Sequence, residues 1–214
     1  MKTNSTKLRM VLIIYAGFLY GFWSLLELSL KNSMGISEFT KEVWLKFLIW
    51  LLPSLLIYLR FSSFMFSGEK EFFSLNRKCW ICIPLLLFFT VYIIGGEYLE
   101  NGMLSISPSF GVSTVVEVIS IAAGEEMVFR GLFLNAALQK QNRYLAVFIN
   151  ALMFLAIHFP AWIQSGTFVF VFSGGGFISI LLLSCIFSFA FIKTKSILPA
   201  AILHFWWDLL MFMF

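Results

Sequence analysis

The chain has 214 residues, of which 60% are hydrophobic and only 12% charged, and it carries a formal net charge of +4. Soluble domains are about a quarter charged, so this balance excludes one and points to an integral membrane protein. At about 20 residues per crossing there is room for about six to eight helices, and the basic residues sit in short connections rather than in a patch suited to nucleic acid.

A basic start (Lys2, Lys7, Arg9) precedes a first span over about Met10 to Leu30, which lacks a small-residue cleavage site and is expected to remain as an anchor. A second span runs from about Val43 to Phe66 and contains Pro53, which should break it. The charged stretch Ser67 to Lys78 leads into a short third span, Trp80 to Ile94, and Glu97 to Phe110 reads as a polar loop with Gly and Pro. The fourth span, about Gly111 to Leu138, carries Glu125, Glu126 and Arg130 in its middle. A fifth covers Tyr144 to Phe159 and should stop before Pro160. The sixth covers about Phe168 to Ile192, unless Gly174-Gly175-Gly176 turns its start into a loop and leaves a shorter span from Phe177. The seventh runs from Ile197 to Phe214.

Basic residues distribute unevenly between the two sides of such a chain. With the N-terminus inside, the inner side receives Lys2, Lys7, Arg9, Arg60, Lys70, Arg77, Lys78, Lys140, Arg143, Lys193 and Lys195, and the outer side only Lys31, Lys41 and Lys46. The expected fold is an all-α polytopic transmembrane bundle of about seven spans, N-terminus inside and C-terminus outside. It divides into three helices over residues 1–110 and a core of four over 111–214. Cys79 and Cys82 form a C-x-x-C without a second Cys or His pair and read, like Cys185, as apolar filler.

Three charges in the middle of one span are unfavourable, at about 2.5 to 3.5 kcal/mol each on insertion scales, and so call for partners or a purpose. Glu126 and Arg130 are one helical turn apart and can pair. Glu125 points about 100° away from Glu126 and has no basic residue one turn to either side, which suits a general base. The chain has two histidines, both inside predicted spans: His158, one turn after Phe154, and His204, one turn before Asp208, the single aspartate. Ionisable residues within membranes usually face the bundle interior, so Glu125, Glu126, His158, His204 and Asp208 are expected to converge on one pocket. No histidine is followed by another four residues on, which removes H-E-x-x-H zinc chemistry, and a lone aspartate removes an aspartyl dyad. A serine with a histidine base stays open, because Ser173 precedes three glycines and could reach His204, although nothing in the spacing specifies it.

At these residues the chain resembles the CAAX-protease and bacteriocin-processing (CPBP, or Abi) intramembrane proteases. The match is Glu125-Glu126-x-x-x-Arg130, then Phe154-x-x-x-His158, then His204-x-x-x-Asp208, in the family's order and over roughly Val112 to Leu210. The resemblance implies that Glu125 with His158 activates the attacking water, His204 with residue 208 stabilises the oxyanion, and Glu126 with Arg130 holds the helix. Asp208 stands where the family often has asparagine. An ionised aspartate repels an oxyanion, so Asp208 is either protonated or orients His204 or a metal. No cofactor is expected. A divalent metal such as zinc, held by Glu125, His158, His204 and Asp208, is the alternative. The implied function is an endopeptidase of the bacterial plasma membrane, in contact with lipid and acting on a peptide or protein, in bacteriocin self-immunity or peptide processing. A non-enzymatic immunity protein and a small proton-coupled carrier are the competing readings.

Overall fold

The structure, a computed structural model, describes residues 2–214; Met1 lies outside the described residues, and so do the side chains of residues 2–4, Lys2 of the basic start among them. Among the described residues the regular structure is all helical, with no strand. We number the helices α1 (residues 2–33), α2 (Thr40–Phe64), α3 (Arg77–Asn101), α4 (residues 112–137), α5 (Arg143–Ala156), α6 (Phe159–Gln164), α7 (Phe168–Ser173), α8 (Gly176–Thr194) and α9 (Ile197–Met213). Among the described residues five stretches are long and apolar enough to cross a membrane: Ser5–Ser33, α2, α3, the α5–α6 stretch Arg143–Gln164, and α8. α4 carries Glu117, Glu125, Glu126 and Arg130, and α9 is apolar but has 17 residues. The chain is therefore a multi-pass membrane protein.

Among the described residues, hydrogen bonds gather the helix ends into two groups. At one end Asn76 donates to the Thr194 carbonyl (3.0 Å), Ser196 to the Phe72 carbonyl (3.1 Å), Gln139 to the Met65 carbonyl, and Lys140 meets Ser5. At the other end the Ser107 amide donates to the Met213 carbonyl (2.8 Å). The charged connection after α2 is not a free loop. Its Ser67 and Phe72 are buried, and Asn135 of α4 accepts from the Ser67 amide at 2.7 Å.

Pro53 does not break α2. A proline orphans the carbonyl four residues earlier, here Ile49, and the Tyr15 hydroxyl of α1 donates to it at 3.0 Å. Residues Phe47–Leu51 take wider, five-residue turns that absorb the ring, and Ser54 donates to the Trp50 carbonyl at 2.5 Å. Pro160 likewise starts a helix instead of ending one. α5 stops at Ala156, and Pro160 lies in the first turn of α6, where its missing N–H has no partner to lose. The expected loop from Glu97 is helical as far as Asn101, and Gly102 ends the helix at φ 71°. At the triple glycine, α7 closes at Ser173 and Gly175 adopts φ 78°, so the long helix begins at Gly176.

α4 is central. From Met127 to Leu134 it too winds in five-residue turns, which leave carbonyls without their usual donors, and Asn150 of α5 donates to the Phe129 carbonyl at 2.8 Å. Aromatic edge contacts, Trp23–Trp50 (4.9 Å), Trp50–Phe129 (6.0 Å) and Phe129–Phe154 (5.1 Å), tie α1, α2, α4 and α5 together just beside the charged residues. At Gly131 α4 comes close to its neighbours. A Cβ there would lie 2.9 Å from Ile197 of α9 and 3.0 Å from Phe72.

Candidate active site

Glu126 and Arg130 form the expected pair across one turn of α4, Nη1 to Oε1 at 2.8 Å, and both are fully buried. Arg130 is held further from α8, donating through Nη2 to the hydroxyl (2.8 Å) and carbonyl (3.1 Å) of Ser184. Its guanidinium lies over the Phe154 ring at 4.5 Å and the Phe187 ring at 5.3 Å, so a flat cation is packed between two aromatic faces. Phe154, one turn before His158, thus serves as a wall for both Arg130 and the His158 ring, whose centroid is 5.1 Å away.

His204 on α9 reaches across to α4. Its Nδ1 donates to Glu126 Oε1 at 2.8 Å, and its Nε2 stands 3.3 Å from Asp208 Oδ2 and 3.8 Å from Glu125 Oε2. Both ring nitrogens therefore face carboxylates, and Phe187 stacks on the ring at 4.9 Å and fixes its plane. His158, at the α5–α6 break, donates Nδ1 to the Phe154 carbonyl at 2.7 Å, which leaves Nε2 with an open lone pair. Glu125, His158, His204, Asp208, Phe154 and Phe187 all line one cleft of about 90 Å³.

Glu125 is not the solitary carboxylate that the local spacing suggests. Lys46 of α2 donates to its Oε1 at 2.8 Å, and Lys46 is itself buried, so this residue belongs to the site and not to an outer loop. A second residue outside the motifs, Ser184, holds Arg130. A visible signal for Lys46 was the i,i+4 pair Glu42 and Lys46 inside an apolar stretch, here an ion pair of 2.6 Å. Ser184 gives no such signal. Ser173 is absent from the residues lining the cleft, and its hydroxyl goes to the Phe170 carbonyl at 3.3 Å.

Among the described residues no three His, Cys, Asp or Glu side chains are grouped to hold an ion. The Lys46 ammonium already occupies a cation's place against Glu125, and Glu126 takes the inner nitrogen of His204. What the arrangement provides is a buried carboxylate with one oxygen tied back and the other 3.8 Å from the His204 imidazole, in a cleft that His158 also lines.

Residues 107–210 match the family model described as type II CAAX prenyl endopeptidase Rce1-like. No curated protein and no solved structure matches the chain.

Proposed function

We propose that the chain, whose residues 107–210 match the Rce1-like family model, is an intramembrane endopeptidase of the CAAX type that hydrolyses a peptide bond by water activation at Glu125. The carrying observation is that Glu125, tied through Oε1 to Lys46, presents Oε2 within 3.8 Å of His204 in a cleft shared with His158. Glu125 takes a proton from water oriented by the free Nε2 of His158, and the hydroxide adds to the scissile carbonyl. The His204 Nε2–H, kept in place by Glu126 behind it and Asp208 beside it, meets the developing oxyanion. The proton on Glu125 then passes to the departing amine. A C–O bond forms, the C–N bond breaks, and neither an acyl-enzyme nor a metal ion takes part.

In this reading the Asp208 carboxylate orients His204 rather than facing the oxyanion, which accommodates an aspartate where an amide is frequent. The substrate is a peptide or protein at the surface of a bacterial plasma membrane, and the role is bacteriocin self-immunity or peptide processing. The purified protein in lipid nanodiscs, given internally quenched peptides with and without a farnesylated cysteine, tests the chemistry. Cleavage lost in Glu125→Gln with the fold intact is expected, and cleavage that survives in Glu125→Gln overturns the reading.

A further inference from the structure

The catalytic carboxylate is gripped by a residue from outside the matched region. Lys46 Nζ bridges Glu125 Oε1 at 2.8 Å and Glu42 Oε2 at 2.6 Å, and its ammonium lies over the rings of Trp50 (5.0 Å) and Trp23 (5.6 Å). The lysine's stem passes close to α4 beside Gly124, where a Cβ would come within 3.0 Å of its Cγ and 3.3 Å of its Cδ. The residue next to the base is thus one whose missing side chain makes room for the lysine. Behind Glu42 the contacts continue through Lys41 (3.0 Å) to Glu27 (2.8 Å), so Glu42 is anchored from its far side as well.

From this geometry we infer that Lys46 is a positioning residue for the peptidase reaction, holding one oxygen of Glu125 so that the other is committed to the cleft. The inference rests on the peptidase reading for its consequence and on the contacts above for its substance. A carboxylate bound on both oxygens would be a poor base, and one bound on neither would rotate away from the water. Lys46 removes one rotational choice, supplies the opposite charge that keeps a buried carboxylate ionised, and is itself kept from leaving by Glu42 and the two indoles. α2 is therefore part of the working site, although all three motif segments lie on later helices.

Two measurements test this. A hydrophobic carbodiimide reacts with protonated carboxyl groups inside membranes, and mass spectrometry locates the adduct. A buried carboxylate deprived of its cation takes up a proton, so Lys46→Met should raise labelling of Glu125 by about ten-fold or more, while wild type and Lys46→Arg stay unlabelled there. Glu126, held by Arg130, is the internal control, and labelling of Glu126 marks a disrupted fold. Should Lys46→Met disturb Glu126 as well, Lys46→Gln decides, because its amide still fills the gap between Glu42 and Glu125. Glu125 unreactive in the deciding variant, or equally reactive in wild type, overturns the inference. In the quenched-peptide assay Lys46→Met should lower kcat by about a hundred-fold, as expected for a misplaced catalytic group, with KM nearly unchanged and most of the loss recovered in Lys46→Arg. An undiminished kcat in Lys46→Met also overturns it. If the labelling pattern holds but wild type cleaves no peptide, the peptidase reading has failed and the grip of Lys46 on Glu125 stands.

Discussion

A single oxygen of Glu126 holds the His204 ring at 2.8 Å, and with it fastens α9 to α4. The same oxygen takes the Arg130 guanidinium. Glu126 thus does more than brace its own helix: it fixes which way an imidazole from the last helix faces, and so links the stability of the bundle to the geometry of the cleft.

Arg130→Ala should therefore be the damaging substitution of the site. It takes the guanidinium from the fully buried Glu126, which keeps His204, and also releases Ser184, and a broken buried pair costs about 3 to 5 kcal/mol. Thermal unfolding in detergent should show a large drop and the yield of folded protein should fall. Glu125→Gln should fold near normally, because Lys46 keeps its contact with Glu42. A Glu125→Gln protein that misfolds beside a stable Arg130→Ala would reverse these roles.

Gly131→Ala should destabilise the bundle by about 1 to 3 kcal/mol, as overpacking does. The added methyl meets Ile197, Phe72 and the Met127 sulfur, all within 3.1 Å, and Ile197 and Phe72 are themselves buried. The same melting experiment reads it, and a melting temperature equal to wild type would show that these neighbours yield freely.

Asp208→Asn should retain or raise peptide cleavage. A neutral amide still contacts His204 Nε2, which Asp208 approaches at 3.3 Å, and it can donate to the oxyanion directly. A chelator should leave the rate of both proteins unchanged. Activity that a chelator removes and Asp208→Asn abolishes would establish a metal-assisted reaction in place of the one proposed.

Reporter fusions should place residues 78 and 214 on opposite sides of the membrane. Lys78 follows Asn76, which bonds to Thr194 at the basic end, whereas Met213 bonds to Ser107 at the other. Both reporters on one side would refute seven crossings.

The helical class and the apolar spans were legible because hydrophobic run length and charge placement are properties of adjacent residues. The Glu126–Arg130 pair and the one-turn spacing of His204 and Asp208 were legible for the same reason: both follow from the turn of one helix. The Lys46–Glu125 contact spans 79 positions, and a lysine on a hydrophobic helix reads as a boundary marker until a partner from elsewhere reaches it. Proline gave a wrong expectation twice for one cause. Its effect depends on whether the lost hydrogen bond was needed, and that was decided for Pro53 by a tyrosine on another helix and for Pro160 by a helix break two residues upstream.

The cleft between the two histidines and Glu125 holds about 90 Å³. That is room for a few water molecules, whereas ligand pockets run to about 300 Å³ and more. For the proposed reaction that is space for the attacking water but not for the polypeptide. On the proposed reading a polypeptide would reach Glu125 only after neighbouring helices part, so the first selection among substrates would be mechanical: a chain must be able to enter as an unwound strand before its side chains are compared. Such a protease spares the folded helices that surround it in the bilayer, because an intact helix is too wide to reach the water.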